Sequence, residues 1–193
     1  MRTFEQDWFS GNIPSWSLLL YPFKDKPNLK FLEIGSFEGR STTWLLDNIL
    51  TNDSSTITCL DTFNGSYEHA DMGVDLNNLY NRFMNNIAGY ESRTKVIVGE
   101  SGKILSSGQL IDEQFDFIYI DGCHESKEVL QDAVYSFDLL KPGGIMVFDD
   151  YTWGDYINNP TKTPKISIEG FLNAYAEHIE LLAKTHQVFI KKK

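Results

Sequence analysis

Three aspartates and a histidine stand where apolar runs end. Phe117-Ile118-Tyr119-Ile120 leads into Asp121-Gly122-Cys123-His124, and Val147-Phe148 leads into Asp149-Asp150-Tyr151. If the two runs are neighbouring strands, Asp121, Asp149 and Asp150 meet at one sheet edge. Packed anions disfavour one another's ionisation unless a cation lies among them. Oxygen donors without a thiolate suit a hard divalent ion, Mg²⁺ or Mn²⁺. The plainer alternative is that Asp149 and Asp150 cap a turn while Asp121 bonds nearby backbone. His124 stands at the expected entrance to a helix; histidine is the side chain whose unperturbed pKa lies near neutral, the type suited to taking a proton there. His69 has a weaker case, in the loop after a strand, and His178 and His186 read as structural. Cys123 reads as a packing residue, and Cys59 and Cys123 form no CxxC pair.

A second constellation is Phe31-Leu32-Glu33-Ile34-Gly35-Ser36-Phe37-Glu38-Gly39-Arg40-Ser41-Thr42, a strand passing through a glycine turn into a helix. Gly35 and Gly39 let backbone come close to a ligand. Ser41 and Thr42 fall where free helix N–H groups favour an anion. The spacing is neither G-x-G-x-x-G nor a P-loop, which disfavours a nicotinamide-dependent oxidoreductase. The next strand ends in Leu60-Asp61-Thr62-Phe63, and a carboxylate there can accept both hydroxyls of a ribose. Without a ligand, the glycine segment is a structural turn and Asp61 a cap.

The elements that must position these residues alternate. Strands are predicted at Lys30–Ile34, Thr56–Leu60, Lys95–Val98, Phe115–Ile120 and Gly144–Phe148, short and apolar as doubly covered strands are. Helices are predicted over Ser41–Leu50, over the stripe from Leu76 to Ile87, from Val129 to Leu140, and around Ile168–His178. Lys141-Pro142-Gly143-Gly144 must end the third of these. Glu180–Lys184 and Gln187–Lys191 are joined too closely for a crossover, so they pair as an antiparallel hairpin. The fold class is α/β: a Rossmann-like, doubly wound seven-stranded sheet, mostly parallel with a C-terminal antiparallel hairpin. Residues 1–193 read as one domain, with 1–28 a helical lead-in near the site carrying Trp8 and Trp16.

Composition narrows the partners. With 17 Lys+Arg against 27 Asp+Glu the formal charge is −10, which argues against nucleic acid and against an anionic membrane. Lys191-Lys192-Lys193, the one basic cluster, reads as a frayed tail. No apolar run approaches a membrane span, and the polar start lacks a signal-peptide core, so the expectation is a soluble cytoplasmic protein.

Together FLEIGSFEGRST, Asp61, VIVGESGKIL and IDGCH…LLKPGGIMVFDDY resemble the class I S-adenosylmethionine-dependent methyltransferases. More narrowly they resemble the metal-dependent small-molecule O-methyltransferases, both the catechol type and a branch acting on sugars and macrolide deoxysugars. The resemblance implies that Gly35, Ser36, Gly39 and Ser41 hold the methionine part of the cofactor, with Glu33 the motif acid. It places Asp61 on the ribose, Ser101 at the adenine, and Asp121, Asp149 and Asp150 on Mg²⁺ or Mn²⁺, with Asp121 also bordering cofactor and reaction. His124 matches the general base of the sugar branch. The catechol type carries Lys at that position and Asn in place of Asp150, so the departures favour the sugar branch. Trp8, Tyr67, His69, Tyr151 and Trp153 are expected as pocket walls for a small acceptor, a carbohydrate above all. A metal-independent methyltransferase of the same fold, and a non-catalytic cofactor-binding module, remain open, as does a homo-oligomer.

Overall fold

The computed structural model describes residues 2–66, 69, 72–112, 114–154 and 157–193. Helix α1 (Ile13–Leu19) precedes strand β1 (Lys30–Ile34), α2 (Arg40–Asn48) and β2 (Thr56–Asp61). Then come α3 (Leu79–Asn86), β3 (Thr94–Val98), α4 (Ser101–Ser106) and β4 (Phe115–Ile120). The chain finishes with α5 (Ser126–Leu139), β5 (Leu140–Phe148), α6 (Lys165–Ala174), β6 (Ile179–Lys184) and β7 (Val188–Lys192). The sheet has seven strands in the order β3-β2-β1-β4-β5-β7-β6. β1 through β5 pair in parallel, and β7 pairs antiparallel with both β5 and β6.

Side chains alternate across each strand, so adjacent apolar residues feed opposite faces. Leu32, Ile118, Ile120, Met146 and Phe148 pack under α5 and α6 through Val129, Ala133, Phe137, Ile168 and Phe171. Phe31, Ile57, Phe117, Tyr119 and Val147 pack on the other face with Leu45, Leu46, Phe83 and Trp16. Covering both faces is why β1 and β4 can carry apolar residues side by side.

Register levels the strand ends. Ile34 lies opposite both Leu60 and Ile120, Ile120 opposite Phe148, and Phe148 opposite Val188. Gly35, Asp61, Asp121 and Asp149 therefore leave the sheet at one edge, and the β6–β7 turn reaches the same level.

Two expectations are corrected and one element is added. Lys191-Lys192-Lys193 is not a frayed tail: Lys191 and Lys192 lie in β7, and Lys192 Nζ donates to the carbonyls of Phe137 and Leu140 at 2.8 Å. That ammonium satisfies carbonyls left open at the end of α5. β5 begins at Leu140 rather than Gly144, because Lys141-Pro142-Gly143-Gly144 is taken up by a register shift against β4. The short α4 after β3 was not predicted from the sequence; its six residues are too few to show a periodicity. Among the described residues, no helix is long and apolar enough to cross a membrane.

Candidate active site at the carboxyl edge of the sheet

The glycine turn is built on a buried acid. Glu33 is fully buried and accepts from Ser36 Oγ at 2.9 Å, from Ser41 Oγ at 2.5 Å and from Thr42 Oγ1. Burial raises its pKa, and the three hydroxyls oppose the rise. Glu33 has no surface to offer a ligand; it holds the turn from beneath, and the Ser36 and Ser41 hydroxyls point at it. What faces outward is backbone. Gly35 has φ +85°, and a Cβ there would lie 1.9 Å from the Asp121 carbonyl oxygen, so β1 and β4 can leave the sheet side by side only with glycine. Gly39, at φ +78°, caps α2. Phe37 between them is held at φ +47°, a conformation uncommon for a bulky residue.

Asp61 braces the turn from β2. Its Oδ2 accepts from the N–H groups of Ser36 and Phe37 at 2.7 and 2.8 Å, and its Oδ1 accepts from Phe63 N at 2.6 Å. Ser101 stands at the start of α4, near the buried Asp132 of α5.

The acids gather around Tyr119 and Asp150. The Tyr119 phenol contacts Asp121 Oδ2 at 2.8 Å and also Asp149 Oδ2. One phenolic proton serves two carboxyls, so the arrangement is satisfied when one acid keeps its own proton. Burial and then mutual repulsion push Asp121 well above the ordinary carboxylate range, and raise Asp149 likewise. Burial would also raise Asp150, but hydrogen bonds from His124 and His186 overcome it and hold the carboxyl far below that range. His124 Nε2 lies 2.8 Å from Asp150 Oδ2, and the His124 ring packs 4.3 Å from Trp153. Asp150 itself sits at φ +56°, backbone strain at the centre of the cluster.

Among the described residues, two sets of potential ligand atoms, each within 4.8 Å, share Asp150: Asp121, His124 and Asp150, and Asp149, Asp150 and His186. A cavity of about 10 Å³, bordered by Asp121, His124, Asp149 and Asp150, has room for one water-sized sphere. Asp121 and Asp149, whose ionisation is suppressed by burial and then by neighbouring acids, stand with the ionised Asp150 around a space of that size and fit a divalent cation. A larger cavity of about 260 Å³, lined by Lys30, Arg93 and Lys95, lies at the opposite end of the strands, away from these acids.

The remaining expectations divide. Trp8 is half exposed and packs at 5.1 Å on Phe37 and 5.4 Å on His69, so it borders the glycine turn. Tyr151 is turned away: its hydroxyl donates to Glu169 and its ring lies under Lys165 and Lys184. Tyr67 lies outside the described residues. His186, expected to be structural, stands 3.3 Å from Asp150 Oδ1. Glu38 was passed over in the sequence, yet it is buried and accepts from Glu5 N at 2.8 Å and Arg82 Nε at 2.9 Å, tying the lead-in to the glycine turn. Its only sequence signal was a charge between the two turn glycines.

Residues 32–151 match a methyltransferase-domain family. An uncharacterized protein of Acanthamoeba polyphaga mimivirus is 26% identical over 143 residues, 74% of this chain, so the chain spans about 60% of that relative's length. Among solved structures, an O-methyltransferase from Bacillus cereus in complex with SAH superposes with TM-score 0.68 at 20% identity, over 99% of this chain and 84% of that one. TomG from Streptomyces achromogenes, an O-methyltransferase involved in tomaymycin synthesis and bound to SAM, gives 0.68 at 15% identity, over 93% and 80%. MycE, a methyltransferase of the mycinamycin biosynthetic pathway in complex with Mg and SAH, gives 0.66 at 17% identity, over 97% of this chain and 51% of that one. At such identities the superpositions establish the seven-stranded fold, and the family match covers more than half of the sequence; the chain belongs to the methyltransferase-domain family.

Proposed function

We propose that residues 1–193 act as one S-adenosylmethionine-dependent O-methyltransferase domain that uses a divalent metal and takes a hydroxyl of a small, sugar-containing acceptor. The observation that carries this reading is the convergence, at one sheet edge, of the glycine turn on β1 with Asp121, His124, Asp149 and Asp150. Similar structures that hold SAM or SAH support the cofactor, and a MycE structure holding Mg, SAH and mycinamycin VI supports both metal and acceptor class.

In this reading the sulfonium supplies an activated methyl group, and the divalent ion supplies a Lewis acid that lowers a hydroxyl's pKa. The chain aligns the two partners. Backbone at Gly35–Gly39 approaches the methionine end, with Glu33, Ser36 and Ser41 fixing the turn from within. Asp61 offers the unused lone pairs of its carboxylate to the ribose hydroxyls, and Ser101 borders the adenine. Asp121, Asp149 and Asp150 supply the oxygen donors. His124, oriented through Nε2 by Asp150, receives the hydroxyl proton. Trp8 and Trp153 offer apolar faces to the acceptor.

The test is a screen of glycosides and catechols with S-adenosylmethionine, following SAH by mass spectrometry with Mg²⁺, Mn²⁺ or EDTA. SAH should form only with a hydroxylated acceptor, best with glycosides. It should disappear in EDTA, and fall about 10²–10⁴-fold in His124→Ala. Undiminished turnover in EDTA would instead establish the metal-independent reading.

A further inference from the structure

The β6–β7 turn enters the acidic edge through two consecutive side chains. Gln187, almost fully buried, donates from Nε2 to Asp149 Oδ2 at 2.8 Å and accepts from Trp16 Nε1 at 2.8 Å. The preceding residue, His186, aims Nε2 at the acid pair, 3.3 Å from Asp150 Oδ1 and 3.8 Å from Asp149 Oδ1. Its other ring nitrogen, Nδ1, lies 2.7 Å from Thr152 Oγ1, and its carbonyl accepts from Tyr151 N at 2.8 Å. Backbone and ring are both held by the loop that carries the acids. An imidazole with one nitrogen on an oxygen partner and the other facing carboxylates has the arrangement of a metal ligand with its supporting shell.

The position follows from register rather than from a local motif. Val188 lies opposite Phe148, so the residues just before Val188 and those just after Phe148 must face each other. Nε2 of His186 and the carboxylates of Asp149 and Asp150 fall within 4.8 Å of one another. On the other side of Asp150 the matching set contains His124. The edge is thus a mixed nitrogen and oxygen donor field, not the all-oxygen one the sequence suggested.

Resting on the metal reading above, we propose that His186 is a nitrogen ligand of the divalent ion beside Asp149 and Asp150, and that it tilts selectivity toward first-row transition ions over Mg²⁺. Mg²⁺ is satisfied by carboxylate and water oxygens, whereas imidazole nitrogen strengthens binding along the series from Mn²⁺ to Co²⁺. A neutral imidazole also adds a donor to a crowded group of acids without adding another negative charge.

The test is calorimetric titration of the full chain, without cofactor or acceptor, with MgCl₂, MnCl₂ and CoCl₂ in turn, together with the visible absorption bands of bound Co²⁺. His186→Ala should lose about 10- to 100-fold in Co²⁺ affinity, change Mg²⁺ affinity by less than about threefold, and alter the Co²⁺ bands. The half-exposed position makes loss of folding an unpromising explanation, and circular dichroism checks it. Thr152→Val, which removes only the Nδ1 partner, should move Co²⁺ affinity in the same direction by less. Unchanged Co²⁺ affinity and bands in His186→Ala, with tight binding by the parent chain, would remove His186 from the ligands and leave the Asp-based metal reading standing. Equal losses for Mg²⁺ and Co²⁺ with unaltered bands would make His186 a hydrogen-bond partner of Asp150 and overturn the proposal. Failure of the parent chain to bind any of the three ions would overturn the metal reading itself.

Discussion

Asp132 of α5 is a carboxyl that the fold keeps from ionising. It is 2% exposed, and burial, with a smaller push from Glu128, moves its pKa from 3.8 to about 7, against the Ser101 hydroxyl. A raised carboxyl pKa stabilises the fold below the unfolded value, and that stabilisation is lost as pH rises through the folded value. Between pH 3.8 and about 7, then, unfolding free energy should fall by up to about 1.4 kcal/mol per pH unit on this account. Asp132→Asn cannot ionise, so its urea midpoint should gain on the parent's across that window and run parallel above it. Curves parallel throughout would place the titration elsewhere. Single residues were unequally legible in the sequence. Asp121, Asp149, Asp150 and His124 stood out because apolar runs ended at them, and the structure brings them together. His186 gave no signal, since a histidine in a hairpin turn carries no local mark of what lies opposite. Glu33 was visible as part of the turn, but its inward direction depends on three hydroxyls that only the folded turn assembles.

Among elements, the β1–β4 pair bears the tightest constraint. Gly35→Ala would drive a methyl group to 1.9 Å from the Asp121 carbonyl oxygen, and backbone cannot step aside as a side chain can. The expected cost is about 3 kcal/mol or more, from strain at positive φ plus separation of two paired strands, read from equilibrium urea unfolding. A variant with parental stability would mean that β1 and β4 diverge more freely than their register implies. β1 and β4 were also the elements the sequence located to the residue, because their clustered apolar residues stop at Gly35 and at Asp121. The start of α5 was read late: it begins at Ser126, ahead of the apolar stripe from Val129, because its first turn is polar and makes its contacts through Ser126 Oγ to Pro160 O and Thr163 O. The start of α3 was read early, at Leu76 instead of Leu79.

For the molecule as a whole, the family match ends at residue 151, yet the candidate site draws on residues well outside it. Trp16 Nε1 to Gln187 Oε1 links positions 171 apart in sequence, and the Trp16 ring packs edge-on against Tyr119 at 4.7 Å. Trp16→Phe keeps most of the packing and removes the N–H, so it should cost about 1–3 kcal/mol by leaving the Gln187 oxygen unpaired. Trp16→Ala should cost about 3–5 kcal/mol in the same urea measurement. Equal midpoints for Trp16→Phe and the parent would show that the N–H is satisfied elsewhere. The inserted place of β7 has a consequence for synthesis. β7 is made after both β5 and β6 but lies between them, so a growing chain emerges from the ribosome with the outer rim of β5 bare and β6 without a seat. Through that interval Asp149 has no amide from Gln187, and Trp16, translated long before, waits for its partner. The acids are therefore displayed before they can be enclosed, and a chain stalled short of residue 187 would present them unsupported to the surrounding solution.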